Sequence, residues 1–332
     1  MTQSGRIVVA GAGSIGCFVG GVLAAHDAPV TLLARPRIMN QIRSNGLHLT
    51  DFGGLDLRVA PEDLTLSATP DCLSDASLIL VTVKTADSAA IATAIKAHAP
   101  KDATIISLQN GVEAYDILRA HLPEMDIRAG MVPFNVVPKG PGGFHRATSG
   151  DIVIGTGQGA LDQALSSEDL NFTETMRIRD VQWGKLLINL NNALNALSGL
   201  TLQAQLLDRP WRRVMARQMA EALGVLKAHG VSPVSTTPLP IGLIPWVLRL
   251  PTPLFSKVAA RMLTIDPHAR TSMSYDLEAG KPTEIDAIQG QIIRMGQEKS
   301  IPTPLCAEVA DRICAAEAAG KGLPHLKASE FS

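Results

Sequence analysis

The first half of the chain alternates short apolar runs with stretches of helical periodicity. Runs rich in aliphatic and β-branched residues occur at 6–10, 30–34, 78–83 and 104–108, each bounded by turn or helix-start residues. This alternation is typical of βαβ units whose parallel strands are buried on both faces. Between Ile127 and Ile154 a strand-like pattern is interrupted by glycines, which predicts hairpins at one edge of the sheet.

From about Asp180 onward the apolar positions recur with helical spacing. The predicted helices span 181–197, 210–229, 267–279, 283–299 and 304–318. Asp266 is expected to cap the third of them, with Pro267 at its first position and Gly280 at its end. The proline-rich stretch 233–253 is predicted to be a loop with short helices. We therefore expect an α/β domain over 1–179, followed by an all-α domain over 180–332.

Composition narrows the class of protein further. Hydrophobic residues make up 46% and charged residues 18% of the 332 positions, which is typical of a folded globular chain. Thirty basic against 31 acidic residues leave a net charge of -1, so we expect no nucleic-acid partner. The four cysteines have no zinc spacing and are too few for a disulfide scaffold. The histidines are scattered, and no metal site is predicted.

No segment is expected to target or anchor the chain to a membrane. The amino-terminal residues lead almost directly into the first predicted strand, without the basic and apolar regions of a signal peptide. The most apolar later stretch, Leu239 to Leu250, contains two prolines and is too short to span a bilayer. The sequence therefore predicts a cytoplasmic protein.

A glycine motif between the first strand and the first helix carries the sharpest chemical signal. Its residues are Gly11, Ala12, Gly13, Ser14, Ile15 and Gly16, a GxGxxG pattern. The first glycine permits a tight turn, the second lets the backbone approach a pyrophosphate, and the third lets helix and strand pack closely. This predicts a Rossmann-type dinucleotide-binding domain. The alternatives are a turn needed only for packing and, less favoured, a hydrolase nucleophile at Ser14, which lacks recognisable partners.

The end of the second predicted strand bears on the choice of dinucleotide. An NAD site typically places an acid there for the ribose 2′-hydroxyl, whereas this strand ends at Arg35 and carries no acid. An arginine suits the 2′-phosphate of NADP(H) through charge-assisted hydrogen bonds. The sequence therefore favours NADP(H). The alternative is that these arginines simply lie on a surface loop.

In the helical half, a polar stripe runs along an otherwise apolar helix. Lys185, Asn189 and Asn192 are spaced i, i+4 and i+7, which places them on one helix face. A buried polar stripe is costly unless it lines a site, where the lysine can donate a proton and the amides can orient a substrate. The alternative is a lysine that extends to solvent beside amides bonded across a helix interface.

Two other residues are candidates on local grounds. Asn110 follows a predicted strand at the end where ligands bind, although Asn110 and Gly111 also suit an ordinary turn. Glu284 begins a predicted helix, where it would also complement the helix dipole without any catalytic role.

These motifs, taken in order, resemble those of the ketopantoate reductase (2-dehydropantoate 2-reductase) family, within the 6-phosphogluconate dehydrogenase-like superfamily. The resemblance extends over nearly the whole chain. It rests on GAGSIG at 11–16, VKT at 83–85, LQNG at 108–111, the lysine and asparagine at 185 and 189, SM at 272–273, EAGKPTEID at 278–286, the glycine at 290, and IPTP at 301–304.

The resemblance implies NADPH-dependent reduction of 2-dehydropantoate to pantoate, a step of pantothenate and coenzyme A biosynthesis. It assigns Lys185 as the general acid and Glu284 as the residue that binds the substrate hydroxyl and helps to hold the lysine. It places the substrate on Asn110, Asn189 and Ser272, and Asn192, from the polar stripe, is a further candidate to bind it. Arg35 and Lys84 would bind the cofactor phosphates or ribose, with Asn110 facing the same cofactor. A homodimer is implied by the helical second domain.

The chain also departs from the family pattern. The position eight residues after the lysine, where the family has asparagine, is Ala193, with Asn192 one place earlier. A second asparagine, three positions before the serine, is replaced by Ala269. A changed pocket leaves open a different branched 2-keto acid as substrate. A non-catalytic NADPH sensor is the other alternative, although a sensor would not need Lys185 and Glu284.

Overall fold

The computed structural model describes residues 5–235, 239–263 and 266–331, without the side chains of residues 261 and 262. The chain divides into two compact units, one up to Ile178 and the other from Arg179 onward. The first unit combines strands and helices, and the described part of the second contains helices only. The predicted fold class, a Rossmann-type α/β domain followed by an all-α domain, is confirmed.

A sheet of eight strands forms the centre of the first unit. In spatial order the strands are β12, β11, β8, β7, β6, β1, β2 and β5, and every neighbouring pair is parallel except β8 and β11. Their bounds are Arg6–Ala10 (β1), Val30–Leu33 (β2), Thr65–Ser67 (β5), Ala76–Val81 (β6), Thr104–Ser107 (β7), Asp126–Met131 (β8), Ile152–Gly155 (β11) and Phe172–Thr175 (β12).

A second sheet of four strands was not predicted. It comprises Leu47–Asp51 (β3), Asp56–Val59 (β4), Val136–Pro138 (β9) and Gly143–Arg146 (β10), in the order β4, β3, β10, β9. The prediction that 127–154 forms hairpins at one edge of the main sheet was wrong in part. β8 and β11 join the main sheet, but β9 and β10 pair with each other and β10 pairs in parallel with β3. That last pairing joins distant segments, which no local pattern encodes.

Helices cover both faces of the main sheet, which explains why its strands read as continuous apolar runs. The helices of the first unit are Ser14–Ala25 (α1), Pro36–Asn45 (α2), Ser88–His98 (α3), Glu113–His121 (α4) and Leu161–Leu165 (α5). Within β1, Val9 packs in the same core cluster as Phe18 of α1. Val8 points to the opposite cluster, which contains Ile91 and Ile95 of α3. All five side chains are buried.

The described part of the second unit is built from nine α-helices. Their bounds are Ile178–Asn189 (α6), Asn191–Ser198 (α7), Leu202–Leu207 (α8), Arg209–Ala228 (α9), Ile244–Leu248 (α10), Thr252–Val258 (α11), Ser272–Glu278 (α12), Gln291–Glu298 (α13) and Pro304–Ala319 (α14). A π-helix, Asp286–Gly290, leads directly into α13. The predicted loop at 233–253 contains α10, while its residues 236–238 lie outside the described residues.

Two predicted helices differ from those observed. The helix predicted over 181–197 is divided at Leu190 into α6 and α7. The helix predicted from Pro267 begins only at Ser272, because Asp266 caps a turn instead: its carboxylate accepts from His268 N at 2.8 Å. Gly280 does follow the end of α12, with a φ of +60° that favours glycine.

No helix among the described residues is both long enough and apolar enough to cross a bilayer.

Candidate functional site

The glycine loop after β1 combines a tight turn with close packing of the first helix. Gly11 has a φ of +109°, and a Cβ there would lie 2.7 Å from Val83 N. A Cβ on Gly16 would lie 2.5 Å from Gly11 O, so this glycine lets α1 approach the loop closely. A Cβ on Gly13 would meet nothing within 4 Å, so its backbone faces open space. Gly11 therefore makes the tight turn and Gly16 allows the close packing, while the approach of a pyrophosphate at Gly13 stays a prediction.

Hydrogen bonds from both neighbouring strands hold this loop in place. Gly11 N and Ala12 N both donate to Leu33 O, at 3.2 and 3.0 Å, at the end of β2. Thr82 Oγ1, just after β6, donates to Gly11 O at 2.6 Å. Helix α1 then begins at Ser14, and its amino-terminal cap residue, Gly13, has no side chain that could make a capping hydrogen bond. The N–H groups of its first turn have no carbonyl partners within the helix, which suits a bound anion.

Arg35 lies at the amino-terminal cap of α2, directly after β2, and is exposed. Its Nη2 donates to Asp87 Oδ2 at 3.4 Å. Asp87 comes from the turn that leads into α3 after β6. No local sequence pattern indicates this acid, because it lies 52 residues from Arg35.

Polar contacts join the loops that follow β6 and β7. Thr85 Oγ1 donates to Asn110 O at 3.2 Å, which links the Lys84 loop to the Asn110 loop. Buried Gln109 Nε2 donates to Val83 O at 3.0 Å and to Ser88 Oγ at 2.8 Å. Lys84 itself is exposed and Asn110 is half-buried. The structure therefore brings Lys84 and Asn110 to adjoining loops, and it identifies Gln109, next to Asn110 in sequence, as the residue that ties them.

Lys185 is half-buried on α6 of the second unit. Burial lowers its pKa from the ordinary 10.5 to about 8. The main chain at Val234 packs against the same helix, since a Cβ on Gly184 would lie only 1.7 Å from Val234 O. Val234 N also donates to Asp180 O at 2.9 Å. A lysine with this pKa can hold a proton near neutral pH and release it to a developing alkoxide.

The predicted substrate residues of α7 and α12 lie beside one hydrogen bond that joins these two helices. Asn189 ends α6 and is buried, as is Asn192 on α7. Thr271 Oγ1 donates to Asn192 O at 3.1 Å, which fixes the start of α12 against α7. Ser272, the first residue of α12, is half-buried beside this contact.

A fully buried amide, Asn195 of α7, organises the same region and was missed by the sequence analysis. Its Oδ1 accepts from Thr271 N at 3.1 Å and from Ser274 Oγ at 2.9 Å. Its Nδ2 donates to Gln205 Oε1 at 3.0 Å and to Leu200 O at 3.1 Å. No sequence signal distinguished this asparagine from its neighbours, because its role depends on α8 and α12.

Glu284 is half-buried immediately before the π-helix. Gln289, within that π-helix, donates from Nε2 to Leu190 O at 2.9 Å, at the junction of α6 and α7. The segment that carries Glu284 is thereby tied to the end of the helix that carries Lys185. Single π-helical turns of this kind often occur at functional sites.

Among the described residues, the possible ligand atoms of His26, Glu168 and Asp169 lie within 4.8 Å of one another. His26 Nε2 lies 2.9 Å from Asp169 Oδ2, which is a direct hydrogen-bond distance. These two side chains therefore satisfy each other without a cation.

A glycine loop between a parallel strand and a helix, together with a half-buried lysine on a helical unit, defines the class of dinucleotide-dependent oxidoreductases. Two family models match most of the chain. Residues 7–159 match the model described as "Ketopantoate reductase PanE/ApbA", and residues 177–317 match its C-terminal counterpart. The chain belongs to the ketopantoate reductase family, as predicted, and is an oxidoreductase acting on a CH–OH group.

Individual relatives are similar over their full length. The 2-dehydropantoate 2-reductase of Halobacterium salinarum is 29% identical over 324 residues, covering 95% of this chain and 100% of that protein. A crystal structure of a PanE/ApbA family ketopantoate reductase from Ralstonia eutropha JMP134 has a TM-score of 0.81 at 28% identity, covering 95% of this chain and 99% of that one. A D-mandelate dehydrogenase in complex with NADH shares the fold, with a TM-score of 0.77 at 21% identity and coverage of 95% and 99%.

Proposed function

We propose that this protein reduces 2-dehydropantoate to pantoate with NADPH, in pantothenate and coenzyme A biosynthesis. The lowered pKa of Lys185, to about 8, on the helix that also carries Asn189 is the observation that carries the proposal. The curated relative from Halobacterium salinarum bears the name of this activity. Residues 1–179 are the proposed NADP(H)-binding domain, and residues 180–332 are the proposed substrate and dimerisation domain.

The first unit is proposed to bind the cofactor through the glycine loop and the loops around it. The N–H groups at Ser14 and Ile15 suit the pyrophosphate, because they open α1 next to Gly13, where a Cβ would meet nothing within 4 Å. Arg35 is proposed to bind the 2′-phosphate, and Lys84 the ribose or phosphates. The nicotinamide, when bound, supplies the hydride.

The protein's own residues handle the proton and the substrate. Hydride addition to the ketone carbon leaves negative charge on its oxygen, and the Lys185 ammonium both stabilises that charge and donates the proton. Glu284 is proposed to bind the substrate hydroxyl and to help hold the lysine. Asn110, Asn189, Asn192 and Ser272 are proposed to orient the substrate, with Ser272 near its carboxylate.

The experiment that tests this proposal follows NADPH oxidation by the purified protein. The panel contains 2-dehydropantoate, several branched 2-keto acids and 2-oxo-2-phenylacetate, with NADH in place of NADPH as a second series. We expect the highest kcat/KM with 2-dehydropantoate. We expect the Lys185→Ala variant to lose its activity. Lys227 is an exposed lysine of α9, and the Lys227→Ala variant should retain the wild-type activity. Binding of NADPH without turnover on any keto acid would overturn the proposal in favour of a sensor.

If the protein prefers another keto acid, we expect the change in substrate specificity to come from Ala193 and Ala269, where the family has asparagine. Both are buried, so the smaller side chains change the interior around α7 and the start of α12 and not an exposed surface.

The proposed homodimer rests on the superfamily resemblance of the helical second domain. Sedimentation equilibrium should give twice the mass of the chain, and a mass equal to one chain across the measured concentrations would contradict it.

A further inference from the structure

Asp87 occupies a position from which it would ordinarily cap its own helix. It is the amino-terminal cap residue of α3, yet its carboxylate makes no capping hydrogen bond. The carboxylate instead lies 3.4 Å from Arg35 Nη2. The Asp87 side chain is 50% exposed and the Arg35 side chain 86% exposed, so both remain accessible to a ligand.

The two residues meet at the edge of the sheet where the glycine loop lies. Arg35 follows β2 and Asp87 follows β6, and these strands lie on either side of β1. Because the three strands are parallel, their carboxyl ends share one edge, where ligands of such sheets bind. The Arg35–Asp87 pair therefore borders the loop proposed to hold the pyrophosphate.

The chemistry of the two side chains suits different forms of the cofactor. An acid beside the adenosine ribose accepts hydrogen bonds from the hydroxyls of NAD(H), whereas an arginine binds the 2′-phosphate of NADP(H). The segment after β2, residues 34–45, carries arginines and no acid. The acid that this segment lacks is supplied by the loop after β6.

We propose that Asp87 determines the cofactor selectivity of this protein, so that it binds NADH as well as NADPH. Asp87 accepts hydrogen bonds from the ribose hydroxyls of NAD(H), and it competes with the 2′-phosphate of NADP(H) for Arg35. This inference rests on the proposed cofactor role of the glycine loop and Arg35. It does not depend on which keto acid is reduced.

The expected effect is modest because both side chains are solvated. Exposed carboxylate–guanidinium pairs and like-charge contacts each change binding by small factors, roughly threefold. We therefore expect the wild-type protein to prefer one nucleotide over the other by no more than about tenfold.

The test is equilibrium binding of NADPH and NADH, measured separately by isothermal titration calorimetry on the full-length protein without keto acid. Asp87→Asn should tighten NADPH binding and weaken NADH binding, each by roughly threefold, and so shift their ratio about tenfold. The matched control is Asp75→Asn. Asp75 lies just before β6 and pairs with Arg6, the first residue of β1, at 3.2 Å, so the same change in charge occurs at the amino end of β6.

A second variant separates the two roles of the pair. Arg35→Gln should weaken NADPH and leave NADH nearly unchanged, and adding Asp87→Asn to it should still weaken NADH. A ratio in Asp87→Asn that shifts no more than in Asp75→Asn would overturn the inference while leaving the proposed function intact. Failure of the wild-type protein to bind either nucleotide would overturn the proposed function, and this inference with it.

Discussion

Lys185 shows how the environment of one residue suits it to the general-acid role proposed for it. An exposed lysine near neutral pH is a weak acid, because its pKa of 10.5 lies far above the working pH. Burial lowers the pKa of Lys185 to about 8 by disfavouring the charged form. At neutral pH the Lys185 side chain is then still mostly in its ammonium form, and it can release its proton to an alkoxide. A general acid requires both properties.

The pH dependence of reduction should follow that lowered pKa. The acid acts in its protonated form, which is present below the pKa and lost above it. We expect kcat for keto acid reduction to fall by about tenfold per pH unit above about pH 8. Lys185→Ala should lower kcat by roughly 100-fold or more and abolish this descending limb. A descending limb of the same midpoint in Lys185→Ala would assign the titration to another group.

Arg212 of α9 should contribute strongly to stability although it has no proposed role in catalysis. It is fully buried and donates to the carbonyls of Leu206 at 2.8 Å, Leu248 at 3.1 Å and Leu250 at 2.8 Å. Arg212→Met would leave these carbonyls buried without donors. We expect the free energy of unfolding to fall by about 3 kcal/mol or more.

Urea denaturation followed by circular dichroism measures this loss. Arg213→Met is the matched control, because the neighbouring arginine is exposed. A similar loss in both variants would show that the helix tolerates methionine poorly and would contradict the bonding argument.

At the scale of elements, the start of α12 is decided by contacts with α7. Asn195 holds Thr271 N and Ser274 Oγ, so the first residue of α12, Ser272, is presented at a fixed place. The isolated sequence instead predicted a helix from Pro267, because Asp266 and Pro267 form a good local start signal. Tertiary hydrogen bonds to a fully buried amide prevail over that signal.

Substitution of this amide should affect both stability and substrate binding. Asn195→Leu would remove four hydrogen bonds, those with Thr271 N, Ser274 Oγ, Leu200 O and Gln205 Oε1. We expect a loss of about 2–4 kcal/mol in the free energy of unfolding. We expect KM for the keto acid to rise as Ser272 shifts, with little change in the Kd of NADPH. Ser274→Ala removes only one of these hydrogen bonds and should cost about 1 kcal/mol. Equal effects of the two variants would contradict the central role given to Asn195.

At the scale of the whole molecule, the two units offer separate signals of unfolding. All three tryptophans, Trp183, Trp211 and Trp246, belong to the second unit. The proposed cofactor site lies on the first unit. Nucleotide binding can therefore be followed for its effect on each unit.

We expect NADPH at 100 times its Kd to stabilise the first unit by about 2.7 kcal/mol, because ligand binding to the folded form shifts unfolding by mass action. Differential scanning calorimetry records the unfolding of the whole chain. Tryptophan fluorescence on the same samples records the unfolding of the second unit alone, so comparing the two shows which unit NADPH stabilises. Adenosine, which lacks the pyrophosphate, is the control and should stabilise less at the same concentration. An unchanged calorimetric trace with NADPH would contradict the cofactor assignment.

Much of the site was predictable because its signals are local. The glycine loop needs only six consecutive residues between a strand and a helix, and the structure gives Gly11, Gly13 and Gly16 the geometry expected of them. The spacing of Lys185 and Asn189 likewise depends on a single helix. Residues whose roles depend on distant segments were missed. Asn195 contacts Thr271 across 76 positions, and Asp87 contacts Arg35 across 52.

The sequence by itself determined the class of both halves, the glycine loop and the family, since periodicity, short motifs and their order along the chain are properties of neighbouring residues. Only the tertiary structure decided where α12 begins, that β3 and β10 pair in a second sheet, and that an acid from the loop after β6 lies beside Arg35. Each of these depends on chain segments that meet only after folding, because packing and hydrogen-bond geometry bring them together.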